Sequence, residues 1–144
     1  MRRLLPLLLL LAAASAWCDG PTVRASHVWI RDAPPGIKVL AAYFTLQNLT
    51  DKPLNLVAVS SPDFDAVMLH QSVVKGGVES MLPVDSLIIP ADGSVELQPG
   101  GYHVMLMQPK RNLFSGDMVT LMLTFSDKSE LAILAPVRHD PPEH

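Results

Sequence analysis

Turn-forming clusters divide this chain into short pieces. From "DAPPG" onward they recur as "LTDKP", "SPDFD", "KGG", "PADG", "PGG", "FSGD" and "SDKS". Proline fixes φ and removes a donor, glycine supplies φ values that other residues avoid, and Asp, Asn and Ser bond their own backbone, so a long helix cannot run through these breaks. Between them lie runs rich in Val, Leu, Ile, Thr and aromatic residues. The candidate strands are "TVRASHVWI", "VLAAYFTLQN", "LNLVAVSS", "AVMLHQSV", "GVESMLPV", "SVELQP", "YHVMLM", "MVTLMLTFSD" and "ELAILAPV". No apolar spacing of helical period is sustained across them. The expected fold is all-β: an antiparallel sandwich of short strands with Greek-key connections. The chain, 144 residues and 49% hydrophobic, suffices for one core. Trp29, Tyr43, Phe44, Phe64, Phe114 and Phe125 are the expected core or rim aromatics. "DPPEH" reads as a frayed tail.

The first residues read as a targeting signal. Arg2 and Arg3 precede the apolar stretch "LLPLLLLLAAASAW", which is short for a membrane span, and Ala14-Ser15-Ala16 has the A-x-A form of a cleavage site. The expected boundaries are a signal peptide over 1–16 and one sandwich domain over 17–144. Cleavage after Ala16 leaves nine cations against 14 carboxylates, a charge of −5. An acidic chain without a basic run does not fit nucleic-acid binding, and no later stretch is long and apolar enough to span a bilayer. Cys18 is the single cysteine, so no internal disulfide is possible. Its place beside the cleavage site raises a lipid anchor as an alternative to simple release. The bulky Trp17 before it argues for the periplasmic, cleaved form.

The stretch "GGYHVMLMQPK" sets an imidazole, His103, and two thioethers, Met105 and Met107, in phase within an apolar strand. Core packing is the plain explanation, because Met fills gaps and a bonded His tolerates burial. A second pair changes the balance. Gly76-Gly77 suits a two-residue primed turn, which opposes Lys75 to Val78, Ser72 to Met81 and His70 to Pro83. His70 and Met81 are then diagonal neighbours on one face, close enough for long side chains to converge. If the strand of His103 and Met105 packs beside this hairpin, two imidazoles and two thioethers form one site. Thioether and imidazole donors without carboxylates favour Cu(I) over harder ions, and zinc's usual soft ligand is thiolate. Outside the cytoplasm a cysteine pair tends to oxidise to a disulfide, which thioethers cannot form. His27, which follows Ser26 in the first strand, and His139 and His144, which lie in the polar tail, read as structural or incidental. Asp117 reads as a turn residue, and Lys110 with Arg111 as a solvated loop pair.

The pattern H-x10-M-x21-H-x-M formed by His70, Met81, His103 and Met105 resembles the periplasmic copper chaperones called PCu(A)C. "AAYFTLQN" and "GGYHVMLMQPKRNLFSGDMVTLMLTF" look like that family's flanking segments, and the resemblance covers nearly the whole chain after the signal. It implies a cupredoxin-like sandwich that holds one Cu(I) per chain through His70, Met81, His103 and Met105, with Met68 and Met107 outside the set. It further implies a carrier, not an enzyme. The cargo would go to the binuclear copper centre of cytochrome c oxidase, sometimes alongside a thioredoxin-like assembly partner. "VRHDPPEH" is shorter than the His- and Met-rich extension with which some members bind Cu(II). Two other readings stay open: general copper tolerance or storage, and a metal-free interaction module. An electron-transfer blue-copper site needs a Cys thiolate that the body of the chain lacks.

Overall fold

The computed structural model describes residues 20–143. The expected signal over 1–16, its cleavage site, Cys18 and His144 lie outside the described residues. Ten strands follow in order: β1 (Val23–Arg31), β2 (Val39–Asn48), β3 (Leu54–Ser60), β4 (Phe64–Lys75), β5 (Val78–Pro83), β6 (Leu87–Ile89), β7 (Ser94–Leu97), β8 (Tyr102–Pro109), β9 (Met118–Phe125) and β10 (Glu130–Arg138). Nine of them match the expected runs. The additional one, β6, has three residues against the edge of β3, too short for an alternating pattern to reveal. No helix occurs among the described residues.

Hydrogen bonding runs in the order β5-β4-β8-β2-β1-β10-β9-β3-β6. One layer is β5-β4-β8-β2-β1 and the other is β10-β9-β3-β6. On one side of β2, β8 pairs with its first half and β7 with its second. The layers are joined where β1 pairs with β10 at Ile30↔Val137 and Arg31↔Arg138. That pair is parallel, a departure from the expected all-antiparallel pattern, because the first and last strands enter the junction from the same end. Strand alternation sends one side chain of every two inward. Leu40, Ala42, Phe44 and Leu46 of β2 meet Val119, Leu121, Leu123 and Phe125 of β9 in the core. Each such side chain larger than Ala contributes about 1.5–3 kcal/mol on burial.

In β8 the inward residues are Val104 and Leu106. His103, Met105 and Met107 therefore project from the opposite face of that layer. In β1 a bulge alters the facing. Ser26 pairs with Thr45 and Trp29 with Tyr43, so β1 carries one more residue than β2 over this interval, and His27 sits at φ +51°. Before the bulge Ala25 shares the core side with its partner Leu46. After it, Ile30 takes the core side opposite Ala42, and Trp29 and Arg31 join the outer face with Tyr43. An extra residue that re-aims the side chains following it is the usual consequence of such a bulge.

Three further expectations are corrected. Phe114 is 67% exposed and belongs to neither core nor rim, because its loop turns outward before β9. Arg111 is not merely solvated. It pairs with Asp63 at 3.2 Å and Asp117 at 3.4 Å and donates to the Met118 carbonyl, tying the loop before β4 to the start of β9. The tail does not fray at once: His139 Nδ1 lies 3.2 Å from Asp32 Oδ1, and Pro141 and Pro142 line a cavity with Trp29.

Candidate metal centre

The site is built by strand register. The Gly76-Gly77 turn has both φ values positive, +61° and +78°, as a primed turn requires. It sets Lys75↔Val78, Ser72↔Met81 and His70↔Pro83, the register expected from sequence. On its other side β4 pairs with β8, which opposes His70 directly to His103 and Met68 directly to Met105. The hairpin and the second strand therefore lie side by side. Two rows cross the outer face of the sheet. One runs Trp29, Tyr43, His103, His70, and the other Arg31, Ala41, Met105, Met68. Met81 reaches the face from the edge strand β5.

The imidazole rings of His70 and His103 stand 5.9 Å apart, edge to face. His103 is 4% exposed although it points away from the core, because neighbouring side chains cover it, Tyr43's ring among them at 6.5 Å. Its Nδ1 lies 3.2 Å from the Gly101 carbonyl. A carbonyl only accepts, so Nδ1 carries the hydrogen, and Nε2 holds the lone pair in the neutral ring. That Nε2 is buried without a hydrogen-bond partner, and so is Nδ1 of His70. Elsewhere among the described residues no buried side-chain nitrogen or oxygen lacks a hydrogen-bond partner. Asn48, at 1% exposure, donates to the carbonyls of Lys52 and Ile89 and accepts from Thr50. Leaving a buried polar atom unpaired costs about 1–3 kcal/mol, so two such atoms on facing imidazoles mark a place for a missing partner. An imidazole whose second nitrogen donates to a backbone carbonyl has the arrangement by which metal-binding histidines are oriented. His70 has its pKa held below the usual 6.5, first by desolvation and then by the neighbouring His103, both of which disfavour the charged ring.

Met81, His103 and Met105 line one cavity of about 310 Å³ together with Arg31 and Ala41. Met81 is 53% exposed, so the site opens to solvent on the β5 side. Met68 shares the face but borders a neighbouring groove with Pro83 and Asp85, and Met107 opposes Ala66 and Val39 one row further on. The described residues contain no cluster of three or more His, Cys, Asp or Glu side chains able to hold a metal. A hard-ligand site is therefore not what these strands assemble. The donor set is two imidazoles with thioethers, which suits a soft monovalent ion. His139 lies apart, engaged with Asp32. Sequence reading missed the wall opposite the histidines. Arg31 Cζ sits 5.5 Å from the Trp29 ring and 6.0 Å from the Tyr43 ring. Only the β1 bulge brings Trp29 and Arg31 to this face, and the sequence carries no visible sign of it.

The fold and the placement of these strands define a class, the PCuAC domains, whose fold is a cupredoxin-like β-sandwich. The copper-bound PCuAC domain from PmoF2 superposes with a TM-score of 0.70 at 26% identity, covering 83% of this chain and 95% of that one. The solution structure of CuI-DR1885 from Deinococcus radiodurans superposes with a TM-score of 0.68 at 35% identity, covering 88% and 84%. Residues 23–137 match the family model described as "Putative lipoprotein LpqE-like", and the chain belongs to that family. The "Putative lipoprotein Lxx21020" of Leifsonia xyli subsp. xyli is 33% identical over 117 residues, 81% of this chain and 69% of that protein.

Proposed function

We propose that this chain is a Cu(I) carrier of the bacterial periplasm, exported by a cleaved signal over 1–16. It holds one Cu(I) through His70, Met81, His103 and Met105. The observation that carries this reading is the pair of buried, unpartnered imidazole nitrogens on opposed positions of β4 and β8, with the methionines in phase beside them. The copper in the PmoF2 domain and the Cu(I) form of DR1885 support it, as the lipoprotein names of relatives support a place in the cell envelope.

The chain has no reaction to catalyse in this role; it exchanges ligands. Burial orders the exchange. Met81 stands on an edge strand exposed at all six positions, so an incoming soft ligand displaces it first. Met105 follows. His103 releases last, because it is buried and anchored on the Gly101 carbonyl. The proposed recipient is the copper-binding subunit of cytochrome c oxidase at its binuclear centre, with a thioredoxin-like protein as an accessory in assembly. In the test, Cu(I)-loaded protein is mixed with the isolated copper-binding domain of that subunit, and copper is measured on each after separation. The expected result is transfer to the oxidase domain. Copper that stays on the carrier against an excess of apo-recipient would reject delivery and favour storage. Failure of wild-type protein to take up Cu(I) would reject copper carriage altogether.

A further inference from the structure

We infer that Arg31 strengthens this site's preference for Cu(I) over Cu(II), by placing a fixed positive charge on the cavity that Met81, His103 and Met105 line. The inference rests on the copper reading above. Arg31 lines the same cavity as Met81, His103 and Met105. In the row across the sheet, Ala41 alone stands between Arg31 and Met105, and its single methyl group leaves the space between them open. The guanidinium is held in place by Trp29 and Tyr43, whose ring centroids lie 5.5 and 6.0 Å from Cζ. Stacking of this kind is favourable and restricts a long, otherwise mobile side chain. Among the described residues no carboxylate forms an ion pair with Arg31. Asp32 also lines this cavity, and its Oδ1 lies 3.2 Å from His139 Nδ1. The β1 bulge is what turns Trp29 and Arg31 together onto this face.

The physical consequence follows from Coulomb's law. Two imidazoles and two thioethers are neutral, so they bring no negative charge to offset the ion. A fixed cation nearby repels Cu(II) twice as strongly as Cu(I), since the repulsion scales with the ion's charge. Soft thioethers already favour Cu(I). Arg31 adds a second discrimination that does not depend on ligand softness and lies outside the ligand set. Its charge also weakens Cu(I) binding slightly, which suits a carrier that has to release its cargo.

The experiment measures Cu(I) and Cu(II) affinities separately, each by competition with a chelator of known strength, for wild type, Arg31→Gln and Arg31→Lys at low ionic strength. Arg31→Gln should tighten Cu(I) about threefold and Cu(II) about tenfold, the second being close to the square of the first. Arg31→Lys keeps the charge and should keep the wild-type ratio. Raising the ionic strength to about 1 M, where the Debye length is about 3 Å, should remove most of the difference between Gln variant and wild type. A Gln variant with an unchanged Cu(II)-to-Cu(I) ratio overturns the role of Arg31 while leaving copper carriage intact. So does a Lys variant that shifts the ratio as Gln does, because stacking rather than charge would then be responsible. Wild-type protein that binds neither ion overturns the copper reading itself, a result separate from any change in ratio.

Discussion

His103 is arranged for something other than stability. Its ring is 4% exposed, one nitrogen donates to Gly101, and the other faces no partner. Gly101's carbonyl would remain satisfied without it, because it also accepts from the Ser72 N–H. His103→Leu is therefore expected to leave the metal-free protein as stable as wild type, or up to about 2 kcal/mol more stable, since it removes an unpaired buried nitrogen. The same variant should lose Cu(I) affinity at least a hundredfold. Urea unfolding of the apo-proteins and chelator competition measure the two effects, and a loss of more than 2 kcal/mol of stability would show the imidazole to be packing instead. Met105 and Met107 form a second contrast. Met→Leu nearly conserves volume and should cost less than about 1.5 kcal/mol at either position. Met105→Leu should lose much of the Cu(I) affinity and Met107→Leu should not, because only Met105 lines the cavity with His103. His70 governs a pH effect. Its folded pKa is lowered, so below about pH 6.5 the unfolded chain binds a proton that the folded one resists. Its contribution is complete above the unfolded value and is lost as pH falls through the folded one. Apo stability should thus fall between pH 7 and pH 5, and His70→Gln should flatten that slope.

At the scale of elements, the β5 arm of the hairpin carries Met81 and none of the core, which the other arm reaches through Phe64, Val67 and Leu69 of β4. All six residues of β5 are exposed, and Val78 at the turn is 64% exposed. Strain introduced at the turn should therefore appear in metal affinity before it appears in stability. Gly77 has φ +78°, a conformation that β-branched residues rarely adopt. Gly77→Val should shift the apo melting temperature by only a few degrees, the amount about 1 kcal/mol gives in a domain of this size. Its Cu(I) affinity should drop to that of Met81→Leu, as chelator competition would show. Wild-type affinity in Gly77→Val would mean that Met81 is not held by this turn. The β1 bulge is the other deciding element. It contributes nothing to the ligand set, yet it selects which of Trp29, Ile30 and Arg31 face the site.

Across the whole molecule, β4 and β8, which carry the proposed ligands, are braced by β2 and the core beneath, which favours a site formed before metal arrives. Binding to a formed site stabilises the fold by mass action alone. With free Cu(I) buffered at about a thousand times the dissociation constant, unfolding should become about 4 kcal/mol harder, with unchanged far-ultraviolet circular dichroism. Addition of a Cu(I) chelator should return the melting temperature to the apo value. A change in strand content on loading would instead indicate that copper organises the sheet. The same bracing has a cost in topology. Pairings such as β1 with β10 join residues more than a hundred positions apart, so they form late and at a loop-closure penalty that local structure does not incur.

Sequence by itself determined what local chemistry decides. Turn clusters limited strand length, the Gly76-Gly77 pair set the hairpin register, and alternation put His103 in phase with Met105 and His70 two residues from Met68. Soft donors outside the cytoplasm pointed to Cu(I), and the spacing of His70, Met81, His103 and Met105 carried the resemblance to a family. Tertiary structure alone decided the rest. It buried His103 on an outward face, because covering requires Tyr43 from another strand. It turned Trp29 and Arg31 toward the cavity through an extra residue near His27, which no alternation rule detects. It joined the first and last strands in parallel and left Phe114 in solvent. Each of these depends on which strands become neighbours, a matter of energy summed over distant contacts rather than of any short stretch of chain.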